Sequence, residues 1–170
     1  MRIGLLSDTH GFLDDALIPH FRECDEIWHA GDLGTTEILD QLMGVKPVRA
    51  VFGNIDGSDV RSRLPEDLEW SSENLRVYMT HIGGYPGRYD RRARRELERR
   101  KPDLFICGHS HIVRVMRDEK LGLLHLNPGA CGHSGWHTER TAMRFDIQAG
   151  KVENLAMITL GSRGRKLSGR

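Results

Sequence analysis

Short apolar runs that end in polar turns recur along the first two-thirds of the chain. Uninterrupted apolar runs of this kind are typical of strands buried on both faces of a parallel sheet. Segments whose apolar residues follow helical spacing lie between several of these runs, which predicts an alternation of strands and helices. The predicted strands cover residues 2–7, 26–29, 47–52, 75–80 and 103–107, and the predicted helices cover residues 13–23, 36–43 and 88–101.

The last third of the chain alternates polar and apolar residues, which predicts antiparallel strands. These strands cover residues 112–117, 122–126, 140–147 and 152–160, with turns at Asp118-Glu119 and at Ala149-Gly150. The sequence predicts one domain over residues 1–160, because the final stretch, 161–170, has the composition of a flexible basic tail. Earlier in the chain, Pro19 is expected to kink or break the first predicted helix.

Composition limits the kinds of molecule that the protein is expected to bind and the compartment in which it is expected to work. The chain has 170 residues and a net charge of only +1, from 25 basic and 24 acidic residues, so it gives no overall signal for nucleic acid or an anionic membrane. No apolar stretch approaches the length of a membrane span. The three cysteines, Cys24, Cys107 and Cys131, lack CxxC spacing, which indicates reduced thiols in a cytoplasmic protein.

Polar side chains that suit metal binding follow most of the predicted strands in this first part of the chain. A single polar residue after a strand is explained by its role in a turn. Several at successive strand ends suggest a binding site, because open α/β sheets bind their ligands at the carboxyl ends of their strands. Two histidines one residue apart, in Gly108-His109-Ser110-His111, directly follow an apolar run. The full set of candidate metal ligands comprises Asp8, His10, Asp32, Asn54, His81, His109 and His111.

The chemistry of this set favours a dinuclear centre. Carboxylates, imidazoles and one amide, without a thiolate, suit Mn²⁺, Fe²⁺, Zn²⁺, Co²⁺ or Ni²⁺. Seven groups exceed the needs of one tetrahedral ion, whereas two ions that share a bridging carboxylate would use them all. A carboxylate has two oxygens and can bridge, but a neutral imidazole offers one nitrogen and binds terminally.

The ordered series Asp-x-His, Gly-Asp, Gly-Asn-x-Asp, His and Gly-His-x-His resembles the calcineurin-type metallophosphoesterase superfamily. The short chain, the Gly-Asn-x-Asp variant and Asn127-Pro128-Gly129 resemble its small YfcE-like phosphodiesterases. The resemblance implies a four-layer α/β/β/α sandwich with two metal ions at the strand ends, Mn²⁺ being favoured. It assigns Asp8, His10 and His111 to one ion, assigns Asn54, His81 and His109 to the other, and makes Asp32 the bridge.

The function implied by the resemblance is hydrolysis of a small, nucleotide-like phosphate diester by a hydroxide that bridges the two metals. Asp32, Asn54 and His10 are then the catalytic metal ligands. A phosphomonoesterase is the nearest alternative. The other is an interaction scaffold, as in the retromer subunit that has this fold, although a complete ligand set favours an enzyme. Similar proteins form dimers or tetramers, so we also expect a homo-oligomer.

The chain departs from many members of the superfamily after Gly53-Asn54, where Ile55 stands in place of a histidine that can protonate the leaving oxygen. General acid assistance is worth roughly a hundred- to ten-thousand-fold, so a replacement acid is of interest. His133 and His137, in a glycine-rich loop, are the candidates, although a solvated loop histidine is the simpler interpretation. Asp56 is expected to orient a ligand imidazole.

Two further features are expected to be structural. The histidines outside the motifs, His20, His29 and His125, are predicted to pack in the core or on the surface. The strongly charged helix predicted over residues 88–101 is better explained as a solvated helix with internal Glu–Arg pairs than as a surface for an anionic substrate or nucleic acid.

Overall fold

The computed structural model describes residues 1–164, which form two five-stranded sheets and a two-stranded hairpin. The strands are β1 (Arg2–Leu6), β2 (Glu26–His29), β3 (Val48–Ala50), β4 (Asp67–Ser72), β5 (Leu75–Thr80), β6 (Gly84–Tyr85), β7 (Arg88–Tyr89), β8 (Leu104–Ile106), β9 (Val113–Asp118), β10 (Leu123–Pro128), β11 (Glu139–Gln148) and β12 (Lys151–Ser162). The helices are α1 (Ile18–Arg22), preceded by a 3₁₀ turn (Asp15–Leu17), α2 (Thr36–Met43), α3 (Ser58–Arg63) and α4 (Arg91–Arg100).

Each sheet contains three adjacent parallel strands, and its other two strands pair antiparallel with their neighbours. The parallel strands lie at one side of the first sheet and at the centre of the second. The first sheet has the order β12-β11-β1-β2-β3, in which β1, β2 and β3 are parallel. The second has the order β4-β5-β8-β10-β9, in which β5, β8 and β10 are parallel. The loops after β1 and β2, and those after β5 and β8, therefore leave neighbouring strands at the same end of each sheet.

Three apolar layers hold the sheets and helices together. The central layer lies between the sheets and contains Ile3, Trp28 and Phe145 from the first sheet and Val77 and Ile106 from the second. Helices α1, α2 and α3 cover the outer face of the first sheet in a second layer. Helix α4 covers the outer face of the second sheet through Ala93 and Leu97. The predicted four-layer α/β/β/α sandwich is confirmed.

The sequence predicted the strand order along the chain well, but it missed several short elements. Helix α3, strand β4 and the β6–β7 hairpin were not predicted, because their apolar residues are few and their segments are short. The predicted helix over 88–101 begins only at Arg91, where the Asp90 side chain caps it by accepting from the backbone amides of Arg92 and Ala93. Residues 88–89 instead form β7.

The first predicted helix and the predicted tail also differ in detail. The segment over 13–23 is broken into a 3₁₀ turn and the short helix α1, which has Pro19 in its first turn. Because proline lacks a backbone N–H, it is tolerated where a helix begins. Strand β12 continues to Ser162, two residues into the predicted tail, and residues 165–170 lie outside the described residues. Within residues 1–164, no helix is long and apolar enough to cross a membrane.

Helix α4 has the ion pairs expected of a solvated helix. Arg94 pairs with Glu98 at 2.6 Å, and Glu96 pairs with Arg99 at 2.6 Å and with Arg100 at 2.8 Å. Each pair joins residues three or four positions apart, which lie on the same side of a helix. The predicted internal Glu–Arg pairing is confirmed, and these arginines are already matched by acidic partners.

Two histidines outside the motifs are completely buried, whereas His20 is exposed. Burial, reinforced by the charge of Arg114, lowers the pKa of His125 to about 4. Neither ring nitrogen of His125 has a hydrogen-bond partner among residues 1–164. Burial likewise lowers the pKa of His29 to about 4. Both side chains are therefore neutral in the folded protein at pH 7.

We predict that His125 makes the protein sensitive to acid. Its pKa of about 4 in the folded state lies below the value of about 6.5 expected in the unfolded chain, so protons bind the unfolded state first. Its contribution to stability is complete above pH 6.5 and is lost as the pH falls toward 4. Between pH 7 and pH 5 this one group should cost about 2 kcal/mol of unfolding free energy.

Urea unfolding of wild type and His125→Phe at the two pH values measures this contribution. The phenylalanine has no titrating group and leaves no polar atom unsatisfied. Between pH 7 and pH 5 the variant should therefore lose about 2 kcal/mol less unfolding free energy than wild type. An equal loss in both proteins would show that His125 is not the acid-sensitive group.

Candidate metal centre

The loops that follow β1 and β2 are bonded to each other along their backbones. Asp8 N donates to the carbonyl of Gly31 at 2.9 Å, and His10 N donates to the carbonyl of Asp32 at 3.0 Å. Because β1 and β2 are parallel neighbours, their polar ends leave the sheet side by side. The carboxylates of Asp8 and Asp32 are both almost completely buried at this edge.

The second sheet brings further histidines to the same place. His81 follows β5, and His109 and His111 follow β8, which is the parallel neighbour of β5. The backbone amide of His109 donates to Asp8 Oδ2 at 3.1 Å and so joins the two sheets at the site. The ring of His109 lies edge-on to that of His81, with their centroids 5.3 Å apart.

Two groups of ligand atoms are close enough to hold an ion. The first consists of Asp8, His10 and His111, and the second of Asp8, Asp32 and His81; within each group the atoms lie within 4.8 Å of one another. Asp8 Oδ1 is 3.0 Å from His111 Nε2 and 3.8 Å from His10 Nε2. The first group coincides with the set assigned to one ion from sequence. The second group contains His81 and Asp32 together with Asp8, so the Asp8 carboxylate is common to both groups.

The protonation pattern of this site suits a metal. The Nε2 atoms of His10 and His81 are buried and have no hydrogen-bond partner among the described residues. His81 Nδ1 donates to the carbonyl of Ala30 at 2.7 Å, which places a proton on that nitrogen, and Nε2 faces Asp32 Oδ2, 3.2 Å away. A backbone carbonyl that fixes the tautomer in this way is typical of a metal-binding histidine.

The two carboxylates dominate the electrostatics of the site. Burial raises the pKa of Asp8, but the imidazoles of His10, His111 and His81 outweigh it and hold that pKa well below its usual range. Burial likewise raises the pKa of Asp32, but His81 and the backbone amide of Ile55 outweigh it. In turn Asp8 raises the pKa of His10, and Asp32 and Asp8 raise that of His81 despite its burial. The site therefore attracts positive charge.

Five of the predicted ligands have left-handed backbone conformations, which only glycine adopts without cost. Their φ values are 55° for Asp8, 48° for His10, 58° for Asp32, 67° for His109 and 59° for His111. Each such residue costs on the order of 1–3 kcal/mol and persists only where the surrounding structure enforces it. Such conformations cluster at functional sites, and the sequence pattern gave no sign of them.

Asn54, the one predicted ligand not yet placed, is exposed. It lines a cavity of about 310 Å³ together with His81, and the other lining residues are Phe52, Gly53, Arg61, Glu66, Thr80, Ile82, Asp90 and Arg92. Sequence reasoning did not identify Arg61, whose guanidinium covers the Phe52 ring at 4.5 Å and whose Nε donates to the Asp56 carbonyl at 2.6 Å.

Asp56 has a different role from the one predicted, because within residues 1–164 its carboxylate accepts no hydrogen bond from an imidazole. Instead it accepts from three backbone amides: Gly53 at 2.7 Å, Gly34 at 2.8 Å and Leu33 at 3.2 Å. It therefore ties the loop after β3 to the loop that carries Asp32. At Gly53 any side chain would overlap the Asp32 carboxylate, which explains the glycine before Asn54.

His29 also supports the ligand loops. Its Nδ1 accepts from the backbone amide of Gly31 at 3.1 Å, so its proton lies on Nε2, which is 3.0 Å from the hydroxyl oxygen of Thr9. That hydroxyl in turn donates to the carbonyl of Leu33 at 3.0 Å. Thr9 lies between two predicted ligands, so this buried histidine links the loops after β1 and β2. The prediction of a packing role for His29 is confirmed, and its polar contacts extend that role.

The two histidines predicted as alternative acids do not line the cavity beside Asn54 and His81. His133 Nδ1 is 2.5 Å from the carbonyl of Arg163, and its ring packs on Phe12 with the centroids 4.2 Å apart. His137 contacts Gly132 and His111. At the position of the missing superfamily histidine, the backbone amide of Ile55 donates to Asp32 Oδ1 at 3.0 Å.

Comparison with known proteins identifies the class. The family model of the calcineurin-like phosphoesterase superfamily domain matches residues 1–150. The chain is 37% identical over 138 residues to a probable metallophosphoesterase of Methanothermobacter thermautotrophicus, a match that covers 76% of this chain and 77% of the relative. These matches define a phosphoesterase. The chain belongs to the calcineurin-like phosphoesterase superfamily, and the resemblance noted in the sequence is confirmed.

Solved structures share the fold over nearly the whole chain. The Zn²⁺ complex of Vps29 from Entamoeba histolytica has a TM-score of 0.74 and 17% identity, and the match covers 96% of this chain and all of that one. An archaeal phosphodiesterase has a TM-score of 0.67 and 21% identity, and the match covers 94% of this chain and all of that one. At these identities the similarity is one of fold alone.

The contacts of Asp56 lead to a prediction about stability. Asp56→Ala removes the acceptor of three backbone amides in a site that is 3% exposed, and we expect it to lower the unfolding free energy by about 3 kcal/mol. Asp56→Asn retains one carbonyl oxygen and should lose about half as much. Urea denaturation at pH 7 measures both. A loss below about 1 kcal/mol for the alanine variant would show that these bonds do not hold the loops together.

Proposed function

We propose that this protein is a metal-dependent phosphodiesterase that hydrolyses a small phosphate ester with two divalent cations, Mn²⁺ being favoured. One observation carries the proposal: the buried Nε2 atoms of His10 and His81, which have no hydrogen-bond partner within residues 1–164, face the carboxylates of Asp8 and Asp32. Leaving such nitrogens without a partner is costly unless a cation binds them. The superfamily to which the chain belongs supports the same interpretation.

The residues at the strand ends would hold two ions. Asp8, His10 and His111 would bind one, and His81, His109 and Asn54 would bind the other, with Asp32 as the bridge. The close approach of Asp8 to His81, with 3.8 Å between Oδ1 and Nε2, also allows Asp8 to face both ions. When bound, a pair of divalent ions activates water and neutralises charge on the phosphoryl group during in-line displacement.

No side chain of the site has the arrangement of a nucleophile. The hydroxyl of Ser7 donates to Asp8 Oδ2 at 2.6 Å, so it serves to orient a ligand. The hydroxyl oxygen of Ser110 accepts from Asn127 Nδ2 at 3.1 Å and from the backbone amide of Ile112 at 3.3 Å. Neither is paired with a histidine that could act as its base, so direct attack by water fits the site better than a covalent intermediate.

The cavity beside Asn54 and His81 favours a diester. A phosphomonoester carries one ester group, whereas a diester needs room for a second, and the cavity provides it next to the proposed ligands. Phe52 and Ile82 supply apolar surface, and Arg61 supplies a guanidinium, so an aromatic or nucleoside-like group matches its lining. The archaeal phosphodiesterase supports the fold alone, and the preference for a diester rests on this cavity.

An interaction scaffold is the second candidate, because Vps29 has the same fold. The ligand set argues against it as the sole role. All seven predicted ligands are present in the chain, and five of them have the unfavourable backbone conformations described above. A protein that no longer bound metal would gain stability by losing these features.

The surroundings of the thiols support a reducing, cytoplasmic location. The three cysteines are buried and unpaired, and burial raises the pKa of Cys107 and of Cys131 to about 12. Such thiols are unreactive. The homo-oligomer expected from the resemblance stays a prediction.

Metal content tests the proposed bridge. Asp32→Asn removes a charge shared by both proposed ions, and we expect the variant to retain neither after dialysis. Asp59→Asn, an exposed carboxylate on α3, is the matched control and should bind as wild type does. Elemental analysis after loading with Mn²⁺ and gel filtration gives the stoichiometry. Two ions per chain in Asp32→Asn would contradict the assignment of the bridge.

Turnover tests the substrate class. Metal-stripped protein reloaded separately with Mn²⁺, Ni²⁺, Zn²⁺ or Mg²⁺ should hydrolyse bis(p-nitrophenyl) phosphate faster than p-nitrophenyl phosphate. Ile82→Trp should narrow the cavity and raise KM for the diester about tenfold or more, with little change for the monoester. Met43→Trp, at a residue of α2 that is 56% exposed, is the control.

The outcomes separate the candidate functions. Faster turnover of the monoester would retain the metal site and reject the diester. Absence of turnover with every metal, in protein that binds two ions per chain, would favour the scaffold.

A further inference from the structure

His137 lies against His111 on the side of that ring away from Asp8. The two Nδ1 atoms are 3.2 Å apart, and the rings meet edge to face with their centroids 5.0 Å apart. On its other side, His111 presents Nε2 to Asp8 Oδ1 at 3.0 Å. The Nε2 atom of His137 is 2.9 Å from the carbonyl of Gly132. Four polar groups therefore form a chain from a backbone carbonyl to the candidate metal centre.

The direction of these hydrogen bonds follows from the carbonyl. A carbonyl oxygen can only accept, so the proton of His137 lies on Nε2 and its Nδ1 is left as an acceptor. His111 must then donate from Nδ1 to His137. Its Nε2 faces Asp8 Oδ1, and a carboxylate also only accepts, so without an ion that nitrogen donates to Asp8. A metal ligand needs this lone pair, so a bound cation would replace that proton.

The loop that carries His137 is attached directly to the loop that carries Asp8. The backbone amide of Gly132 donates to the carbonyl of Asp8 at 3.0 Å, and the amide of Cys131 donates to the carbonyl of Ser7 at 2.9 Å. A side chain at Gly135, whose φ is +123°, would overlap the ring of His111. The glycine allows the loop to fold over that ring and brings His137 within hydrogen-bond distance of it.

We propose that His137 is a positioning residue that accepts the Nδ1 proton of His111 and so fixes that ring with Nε2 directed at the candidate metal position beside Asp8. The effect on metal binding rests on the proposed function, but the hydrogen bond between the two imidazoles does not. This role uses both ring nitrogens of His137, so it replaces the role of general acid suggested for this residue by the sequence.

The hydrogen bond between the two imidazoles can be observed without metal. Long-range ¹H–¹⁵N correlation spectra of metal-free, ¹⁵N-labelled protein at about pH 8, where a free histidine is neutral, distinguish a protonated ring nitrogen from a bare one. We expect Nδ1 of His111, assigned by comparison with His111→Gln, to be protonated in wild type. His137→Leu should leave Nδ1 bare, with the proton on Nε2, where Asp8 accepts it. His137→Asn, whose side-chain oxygen replaces Nδ1 as an acceptor, should restore the wild-type form.

Metal affinity provides the second measurement. Loss of a group that orients a ligand typically weakens metal binding about 10- to 100-fold. Titration calorimetry with MnCl₂ should show a loss of that size for His137→Leu at one of two sites, and recovery to within about threefold of wild type for His137→Asn. Trp136→Ala is the matched control, since its side chain is 99% exposed and adjoins His137 in the same loop.

The two measurements have separate consequences. A bare Nδ1 on His111 in wild type, or an Nδ1 that stays protonated in His137→Leu, would overturn the proposal. Unchanged Mn²⁺ affinity in His137→Leu would overturn its metal part, and an equal loss in Trp136→Ala would reduce the effect to a general disturbance of the loop. Wild type that binds no Mn²⁺ would contradict the proposed function, while the spectra would still show whether the two imidazoles are hydrogen-bonded.

Discussion

The structure depends on the burial of two carboxylates, Asp8 and Asp32, at the end of a sheet. Two like charges held out of water raise each other's pKa and favour whatever positive charge can reach them. Here the imidazoles of three loops reach them, and their effect on the carboxylates outweighs that of burial. A cation would satisfy the same demand more completely, because it can contact both the carboxylates and the imidazole lone pairs.

The fold supplies this geometry through its parallel strands. Strands β1 and β2 in one sheet, and β5 and β8 in the other, each deliver a ligand loop to the same end of the sandwich. The loops are then fixed by groups that bind no metal in this arrangement. Asp56 accepts from three amides, and His29 joins two loops through Thr9. These supports counter the backbone strain at five ligand positions.

Most of the candidate metal ligands could be proposed from sequence because two local features mark them: an apolar run and a polar residue of the right chemistry within three residues of its end. Asp8, Asp32 and His81 all satisfy this rule. The supporting residues could not be predicted in the same way, because their partners are backbone amides and carbonyls distant in sequence. From sequence, Asp56 was predicted to bond to a side chain, a ligand imidazole, rather than to backbone amides. Arg61 lies in helix α3, which is too short and too polar for its pattern to be recognised.

The central strands were predictable for the same reason, since uninterrupted apolar runs define them, whereas the four layers were expected from the resemblance to the superfamily. The missed elements lie where that signal is weak. Strand β4 has only partly buried side chains along most of its length, and the β6–β7 hairpin has two residues in each strand. The prediction of a helix from residue 88 ignored Asp90, whose side chain marks the true beginning of α4.

The fold by itself does not decide between catalysis and scaffolding, since both Vps29 and a phosphodiesterase share it. The two roles differ in whether the loops at the strand ends need to keep buried polar side chains. A scaffold needs the sheets and helices, which are stabilised by their own apolar layers, but it has no use for buried imidazoles without partners. Replacing such groups with apolar side chains would remove an energetic cost and leave the layers intact. In this chain the costly groups are present together, at one end of both sheets, with dedicated hydrogen bonds that orient them. That combination is the physical argument that the site binds metal.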